Sequence, residues 1–216
     1  RRQEANTSRL ERLQHYSGLP KGMLQRMTFD AFDPAGSGSD THGSATLKAA
    51  FTAAVTFANS PEGWLLLTGT HGSGKTHLAV SIAEKRIKHG EVVFFAFVPD
   101  LLDHLRATFN PNSPVEYDQL FEQVKSVPLL ILDDLGAESS TAWAQEKLYQ
   151  IVVRRHNARL PTVITSYLTM EEIEEAHPRL ASRFKDSTLV HWAPISAPDY
   201  RDPQRQKSTP TRRARR

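Results

Sequence analysis

Apolar residues follow two alternating patterns between about residues 44 and 195. Short apolar runs rich in β-branched and aromatic residues are typical of buried strands, and they lie at 64–68, 92–98, 129–132, 162–165 and 188–192. Apolar residues spaced three and four apart predict helices at about 44–58, 75–89 and 143–157, with shorter helices opening at Pro99, Ser113 and Thr169. Parallel strands need long connections that are usually helical. The alternation therefore predicts a three-layer α/β fold around a five-stranded, mostly parallel sheet.

The two ends of the chain have a different composition from this core. Residues 1–43 contain a short helix-like stretch around Leu10 and Leu13 and then the Gly/Ser-rich run 36–40, which has the composition of a linker. Residues 201–216 are polar and rich in arginine. The expected division is an N-terminal arm and linker at 1–43, one folded domain at 44–200 and a basic disordered tail at 201–216.

The charge of the chain is concentrated in that tail. The formal net charge is +3, but residues 201–216 carry seven Lys or Arg and one Asp, so residues 1–200 are negative overall. A cluster such as Arg212, Arg213, Arg215 and Arg216 suits either contact with nucleic-acid phosphates or a simple solubilising tail. There is no cysteine, no visible signal segment and no apolar run of membrane-spanning length. The expectation is a cytoplasmic protein without a membrane partner.

One motif in the sequence has a specific chemical meaning. The first predicted strand runs directly into a stretch that fits G-x-x-x-x-G-K-[ST] and that opens a helix. Glycines in such a loop let successive backbone N–H groups turn toward phosphate oxygens at a helix N-terminus. The predicted phosphate-binding residues are Gly69, Thr70, His71, Gly72, Ser73, Gly74, Lys75 and Thr76. Lys75 is expected to bridge the β- and γ-phosphates of ATP, Thr76 to place its hydroxyl on Mg²⁺, and His71 and Ser73 to act through their backbone.

Two acids follow the third apolar strand, where open α/β sheets place their ligands. Asp133 is the predicted magnesium-side carboxylate, and Asp134 is the predicted general base or water-orienting group. Glu138 is a further candidate base. An ATPase that converts ATP and water to ADP and phosphate is therefore expected, with Lys75 and Asp134 among its catalytic residues.

With these motifs located, the chain resembles the AAA+ helicase loaders of bacterial replication of the DnaC/DnaI type. The resemblance spans about residues 29–201 and rests on several short stretches: TFDAF at 28–32, GKTHLA at 74–79, LDDLGAE at 132–138, LPTVITS at 160–166, RLASR at 179–183 and DYR at 199–201. It implies an AAA+ core that binds ATP between neighbouring subunits of a homo-oligomer. It also implies contact with single-stranded DNA and delivery of a hexameric replicative helicase to it.

The same resemblance implies an arginine finger that reaches the γ-phosphate held by a neighbouring subunit. Arg183 or Arg179 fills that place, and the sequence does not separate the two. Loaders usually show Thr-Ser-Asn after the fourth strand as the γ-phosphate sensor. Tyr167 stands here in place of that Asn, so the sensing role falls to Ser166 or Thr165.

Other departures from the loader pattern concern turnover and extra domains. Asp134 has a shorter reach than the Glu of many AAA+ proteins, which suggests slow, partner-dependent hydrolysis. Little or no helical lid is expected after the last strand, and a separate N-terminal helicase-binding domain is missing or very short. Candidate aromatic residues for stacking on DNA bases are Phe97, Phe109 and Tyr117, of which Phe97 is better explained by core packing.

Two alternatives to the loader share the same core. One is a transposition helper ATPase of the IstB type, which works on duplex DNA with a transposase. The other is an ATP-gated binding module with negligible hydrolysis, to which Tyr167 and the short Asp134 point. The run 133–138 and the LPT at 160–162 favour the loader over the helper.

Overall fold

A computed structural model of the chain describes residues 19–36, 39–108, 117–138 and 141–201. Its helices are α1 (Lys21–Arg26), α2 (Thr41–Asn59), α3 (Lys75–Lys88), α4 (Val98–Ala107), α5 (Tyr117–Ser126), α6 (Ala142–Asn157), α7 (Met170–Ala176) and α8 (Pro178–Phe184). Its strands are β1 (Trp64–Gly69), β2 (Val93–Phe97), β3 (Leu129–Leu135), β4 (Thr162–Ser166) and β5 (Val190–Ile195).

The strands form one sheet in the order β2-β3-β4-β1-β5, and all four pairings are parallel. Side chains alternate between two apolar clusters, one on each face of the sheet. Leu65, Phe95 and Ile131 face α2 and α3, whereas Leu66 and Leu130 face α4 to α8. The predicted three-layer α/β architecture with a five-stranded sheet is confirmed.

Helix α2 begins three residues earlier than the sequence pattern predicted. Asp40 precedes it in an extended conformation, and its side chain accepts a hydrogen bond of 2.7 Å from the backbone N–H of Gly43. An aspartate in this position satisfies one of the free N–H groups of the first turn. The prediction started the helix at Ser44 because Asp40 and Gly43 resemble linker residues.

Two strands also differ from their predicted limits. Strand β3 continues through both acids to Leu135, with an irregularity between Leu132 and Leu135 in its pairing with β4. Strand β5 lies at Val190–Ile195 rather than 188–192 and contains Pro194. Proline is tolerated there because β5 is an edge strand that pairs only with β1.

The segment 19–36 of the predicted arm packs against the folded domain. Phe32 stacks on Phe51 of α2, with ring centroids 5.5 Å apart, and Phe29 contacts the same ring edge-on. The Nε2 atom of His77, on α3, lies 2.9 Å from the backbone oxygen of Thr28. This segment therefore shares the apolar cluster of α2 and α3. The helix predicted around Leu10 and the basic tail from residue 202 onward lie outside the described residues.

Within the described parts of the chain, no helix combines the length and apolar character needed to cross a bilayer. No helix follows β5 between Ser196 and Arg201, the last residue of the described range.

Candidate nucleotide-binding site

The carboxyl ends of β1, β3 and β4 meet at one edge of the sheet, because the strands are parallel and β4 lies between the other two. The glycine-rich loop 69–76 begins at the last residue of β1, the two acids lie just before the end of β3, and Thr165 and Ser166 end β4 with Tyr167 following. Ligands of open α/β sheets bind at this edge. The fold thus brings the predicted phosphate loop and the predicted acids together.

Backbone conformations that favour glycine shape the phosphate loop. Gly72 has φ of +70° and Gly74 has φ of +98° at the start of α3. A Cβ atom on Gly74 would lie 2.9 Å from the ring of Phe32, and one on Gly72 would overlap the carboxylate of Asp199. The backbone N–H of Tyr200 donates a hydrogen bond of 3.1 Å to the oxygen of Gly72. The segment after β5 therefore lies directly against the loop.

Lys75 is a nearly buried cation beneath this loop, with 7% of its surface exposed. Its Nζ atom donates hydrogen bonds of 2.7 Å to the backbone oxygens of Gly69 and Thr70. Burial lowers the pKa of Lys75, while the charges of Asp134 and Asp133 oppose that shift. No carboxylate of the described residues forms an ion pair with it, so its charge is available to an anion.

Thr76, Asp133 and Thr165 form a connected polar group beside Lys75. The hydroxyl of Thr76 lies 3.1 and 2.9 Å from the two carboxylate oxygens of Asp133, and the hydroxyl of Thr165 donates to Oδ1 at 2.7 Å. Asp133 is 1% exposed. Burial raises the pKa of Asp133, and the hydrogen bonds from Thr165 and Thr76 partly oppose this.

Asp134 adopts a strained backbone conformation next to this group. Its φ of +65° lies in the left-handed region, where the Cβ of an L residue is disfavoured. Its backbone N–H donates a hydrogen bond of 2.9 Å to the hydroxyl of Thr165. Its side chain is partly exposed at the sheet edge. The irregularity in β3 therefore turns Asp134 out of the sheet, whereas Asp133 stays buried. Such strain is found disproportionately at functional sites.

The hydroxyl of Ser166, a predicted nucleotide contact, is occupied by the turn after β4. This hydroxyl donates a hydrogen bond of 2.7 Å to the backbone oxygen of Leu135 and accepts one of 3.1 Å from the N–H of Leu168. Ser166 is fully buried. Thr165, the other residue considered for this role, is the one that contacts Asp133.

Tyr167 contacts both loops of the site, which the sequence pattern did not indicate. Its ring stacks on the imidazole of His71, with centroids 4.9 Å apart and an interplanar angle of 24°. Its hydroxyl donates a hydrogen bond of 3.0 Å to the backbone oxygen of Gly136. The presence of a tyrosine where a small polar residue is usual was the signal in the sequence that this position is unusual. Only the structure shows that the tyrosine contacts His71 and Gly136.

The two candidate finger arginines lie on α8 in different surroundings. Arg179 is exposed, bonds to Glu146 at 2.9 Å, and lies over the ring of Tyr149 at 3.4 Å. Arg183 is partly buried, and its Nε has no hydrogen-bond partner in the described structure. The residue preceding α8 is His177, whose Nε2 lies 3.3 Å from Oε1 of Glu138. Glu138, the alternative base, is buried in that contact.

An open cavity of about 270 Å³ adjoins the phosphate loop. Its walls combine loop residues 72–76 with residues from the segment 19–36, from α2 and from the chain after β5. The apolar part includes Met27, Ala31, Phe32, Leu47 and Pro198. The residues around Phe32 carry part of the resemblance in the sequence, but the sequence pattern did not indicate that they line a cavity.

The observed groups fit a magnesium nucleotide. A buried ammonium without a carboxylate partner among the described residues suits phosphate oxygens, and so does a helix N-terminus. The oxygens of Thr76 and Asp133 are the hard ligands that Mg²⁺ prefers, and that ion usually takes only one or two protein ligands beside phosphates and water. Accordingly, the described residues contain no cluster of three or more His, Cys, Asp or Glu that could hold a metal alone.

The aromatic residues considered for DNA stacking are only partly described. Phe97 packs edge-on against Phe95, as expected of a core residue, and Tyr117 stacks on Phe121 within α5. Phe109 lies outside the described residues, as do Ser113 and Glu116 of the predicted helix start.

The chain is similar to one family of ATP-binding proteins and to two curated helicase loaders. The family model described as IstB-like ATP binding protein matches residues 5–208. The replicative helicase loader DnaC of Escherichia coli strain K12 is 31% identical over 108 residues, which are 50% of this chain and 44% of that protein. The replicative helicase loader DnaI of Bacillus subtilis strain 168 is 29% identical over 141 residues, which are 61% of this chain and 44% of that protein. The chain thus spans less than half the length of these curated relatives.

A solved structure gives the same picture of the fold. The crystal structure of the DnaC helicase loader superposes with a TM-score of 0.66 at 23% identity, covering 82% of this chain and 100% of that chain. This likeness shows that the two chains share the same fold.

Proposed function

The chain belongs to the IstB-like ATP-binding protein family, and from that premise we propose that it is a Mg-ATP-dependent loader of a replicative helicase. The observation that carries the nucleotide part is the buried ammonium of Lys75, which bonds to the backbone oxygens of Gly69 and Thr70 beside the Thr76–Asp133 pair. The similarity to DnaC and DnaI carries the helicase part.

The phosphates of ATP are held by residues 69–76. The backbone N–H groups of Gly72, Ser73 and Gly74 cradle the phosphate oxygens, and Lys75 neutralises their charge. Thr76 and Asp133 hold Mg²⁺, which supplies charge neutralisation and Lewis-acid polarisation of the phosphates when bound. The base of the nucleotide lies in the apolar part of the cavity, against Phe32 and Leu47.

Hydrolysis is assigned to Asp134 as the general base or water-orienting group. Its carboxylate is partly exposed beside the buried Asp133, so water reaches it. A carboxylate one methylene shorter than glutamate suits slow turnover that depends on a partner.

Arg183 is the proposed arginine finger, supplied to a neighbouring subunit. Arg179 is already engaged by Glu146 and Tyr149, whereas Arg183 carries an Nε without a hydrogen-bond partner in the described structure. A guanidinium supplied in trans stabilises charge on the transferring phosphoryl group. The proposed assembly is a homo-oligomer with ATP at its subunit interfaces.

Single-stranded DNA and a hexameric helicase are the proposed partners. The arginine-rich tail offers electrostatic contact with phosphates, and Tyr117 and Phe109 are candidate stacking residues. Both partners place the protein in the cytoplasm, where replication takes place in bacteria.

A transposition helper of the IstB type is the second candidate, because the matched family model carries that name. An ATP-gated binding module with negligible hydrolysis is the third. Both share the nucleotide site described above, so they differ from the loader in partner or in turnover.

Calorimetry with Mg²⁺ and a non-hydrolysable ATP analogue tests the nucleotide site first. Binding is expected for the intact protein and not for Lys75→Ala, with thermal unfolding confirming that the variant is folded. Phosphate release that depends on Mg²⁺ and Lys75 then excludes the non-hydrolysing module.

Pull-down with ATP against a replicative helicase and against a transposase tests the partner. Retention of the helicase supports the loader. Retention of the transposase alone overturns it in favour of the transposition helper.

A further inference from the structure

We propose that His71 and Tyr167 form a positioning pair that ties the phosphate loop to the loop after β3 and so fixes the place of Asp134. This inference deepens the proposed function and rests on it, because it concerns the geometry of hydrolysis at the same site. Neither side chain is assigned to contact the reacting atoms. Both act on Asp134 through the loop after β3, to which the Tyr167 hydroxyl is bonded.

The first half of the tie is the stack between the two rings. His71 projects from the phosphate loop and is exposed, yet its imidazole lies nearly parallel to the Tyr167 ring, 4.9 Å from centroid to centroid. Stacked aromatic rings at this distance attract each other in addition to the burial of their apolar surface. The exposed His71 side chain could adopt other rotamers, but the stack holds it against Tyr167 at the end of β4.

The second contact of the pair is made by the Tyr167 hydroxyl, which donates a hydrogen bond of 3.0 Å to the backbone oxygen of Gly136. Gly136 has φ of +98°, and a Cβ there would lie 2.6 Å from Leu168 and 3.6 Å from the Tyr167 ring. The backbone after β3 thus passes close to the turn that carries Tyr167. Only glycine allows that approach.

The polar side chains before Tyr167 on β4 have other functions in the structure. Thr165 bonds to Asp133 and to the N–H of Asp134, and Ser166 bonds to Leu135 and Leu168. Tyr167 is the next residue along, and it is partly exposed. Among these three residues, it is the one whose contacts join the loop after β3 to the phosphate loop.

The far end of the loop after β3 is fixed separately. Glu138 accepts a hydrogen bond of 2.8 Å from the N–H of Gly136 and lies 3.3 Å from His177, at the start of α8. Both side chains of that contact are buried. The Tyr167 hydroxyl therefore holds the middle of a short segment whose beginning is the strained Asp134.

A shift of Gly136 is transmitted to Asp134 because only one residue separates them and the backbone of Asp134 is already strained. Misplacement of a catalytic group by about 1 Å can lower the rate on the order of a hundredfold. Loss of the tie is expected to lower kcat while leaving nucleotide affinity nearly unchanged, because residues 72–76 remain in place.

The test compares the full chain with Tyr167→Phe, which keeps the ring but removes the hydroxyl, and with His71→Ala, which removes the stack. Each is expected to lower kcat for Mg-ATP hydrolysis roughly tenfold and to change the Kd for nucleotide less than about twofold. His71→Phe keeps a stacking ring and is expected to retain most of the activity. The double variant His71→Ala/Tyr167→Phe should be no slower than the slower single variant, since both break one tie.

His191→Ala is the matched control, because it removes an exposed imidazole from β5, away from the phosphate loop. It should leave kcat unchanged. Hydrogen exchange of the amides at 135–138 supplies a readout that does not need fast turnover, and exchange should be faster in Tyr167→Phe and His71→Ala than in the wild type.

The proposal is overturned if both variants keep kcat and exchange rates within twofold of the wild type, or if their effects on kcat add. Loss of nucleotide affinity in parallel with kcat also overturns it, because the pair would then belong to binding. Failure of the proposed function is recognised separately, since the wild type itself would then not bind Mg-ATP.

Discussion

At the scale of single residues, two adjacent carboxylates have opposite surroundings. Asp133 is buried and accepts hydrogen bonds from two threonine hydroxyls, whereas Asp134 is turned outward by a left-handed backbone conformation. The first arrangement suits a fixed metal ligand, and the second suits a group that meets water. The two residues should therefore respond differently to substitution.

Asp134→Asn should separate the charge of this residue from its backbone conformation. Asparagine tolerates the left-handed region, so the free energy of unfolding should stay within about 0.5 kcal/mol of the wild type. Loss of the carboxylate should lower single-turnover hydrolysis at least roughly a hundredfold. Asp134→Ala, which lacks the local side-chain hydrogen bonding, should be less stable than Asp134→Asn by about 1 kcal/mol in urea titrations. Full turnover by Asp134→Asn would exclude the assigned role.

Asp133→Asn should stabilise the protein when nucleotide and magnesium are absent. Burial raises the pKa of Asp133 above its ordinary value of 3.8, so the native state binds its proton more tightly than the unfolded state. Wild-type stability from this group therefore falls as pH rises from about 4 through the raised pKa. Removing the charge should raise the free energy of unfolding at pH 7 on the order of 1 kcal/mol, and the difference should vanish toward pH 4.

Urea unfolding in EDTA across this pH range measures the effect. A variant less stable than the wild type at pH 7 would show that the hydrogen bonds to Asp133 outweigh the cost of burying its charge. Magnesium-dependent nucleotide binding should be weakened in the same variant.

At the scale of elements, the segment 19–36 lines the cavity beside the phosphate loop as well as packing against α2. Phe29 and Phe32 both contact Phe51 of α2, but only Phe32 lines the cavity beside the phosphate loop. The residues that close this cavity therefore come from both ends of the folded chain, since Pro198 and Tyr200 lie on its other side.

Phe32→Ala and Phe29→Ala form a matched pair that separates these functions. Each should lower the free energy of unfolding by about 1–3 kcal/mol, because each removes a partly buried ring from the same cluster. Only Phe32→Ala should weaken nucleotide binding, by roughly tenfold, since it removes a wall of the cavity proposed to hold the base. Calorimetry with a non-hydrolysable analogue measures this. Equal losses of affinity in both variants would place the base elsewhere.

At the scale of the whole molecule, the proposed active site is complete only when a second copy supplies Arg183. The phosphate loop and the two acids lie on one chain, and neither Arg179 nor Arg183 of α8 is among the residues that line the cavity. Lys75→Ala and Arg183→Ala should each be inactive alone.

Mixing these two inactive variants in equal amounts should restore activity. If the neighbours pair at random, roughly a quarter of the interfaces join an intact site to an intact finger. Phosphate release from the mixture, compared with each variant alone at the same total concentration, measures the recovery. No recovery would mean that Arg183 acts within its own chain or on stability alone.

The sequence by itself determined the class of the fold and predicted the phosphate-binding chemistry. Periodicity of apolar residues is a local property, and it located every strand core of the sheet. The loop 69–76 and the acids 133–134 were found because their chemistry depends on contiguous residue types. The strand limits at β3 and β5 were missed because an irregularity and a proline depend on neighbouring strands.

Only the tertiary structure decided which side chains meet across the chain. Arg155 lies between two other polar residues of α6 and resembles a solvated residue in the sequence. In the fold it is fully buried, with hydrogen bonds of 2.9, 2.8 and 2.6 Å to Thr162, Val127 and Pro161, and burial lowers its pKa to about 9. His71 and Tyr167 likewise meet across 96 positions of sequence. Such pairings have no local signal in the sequence, because they depend on which strands are neighbours in the sheet.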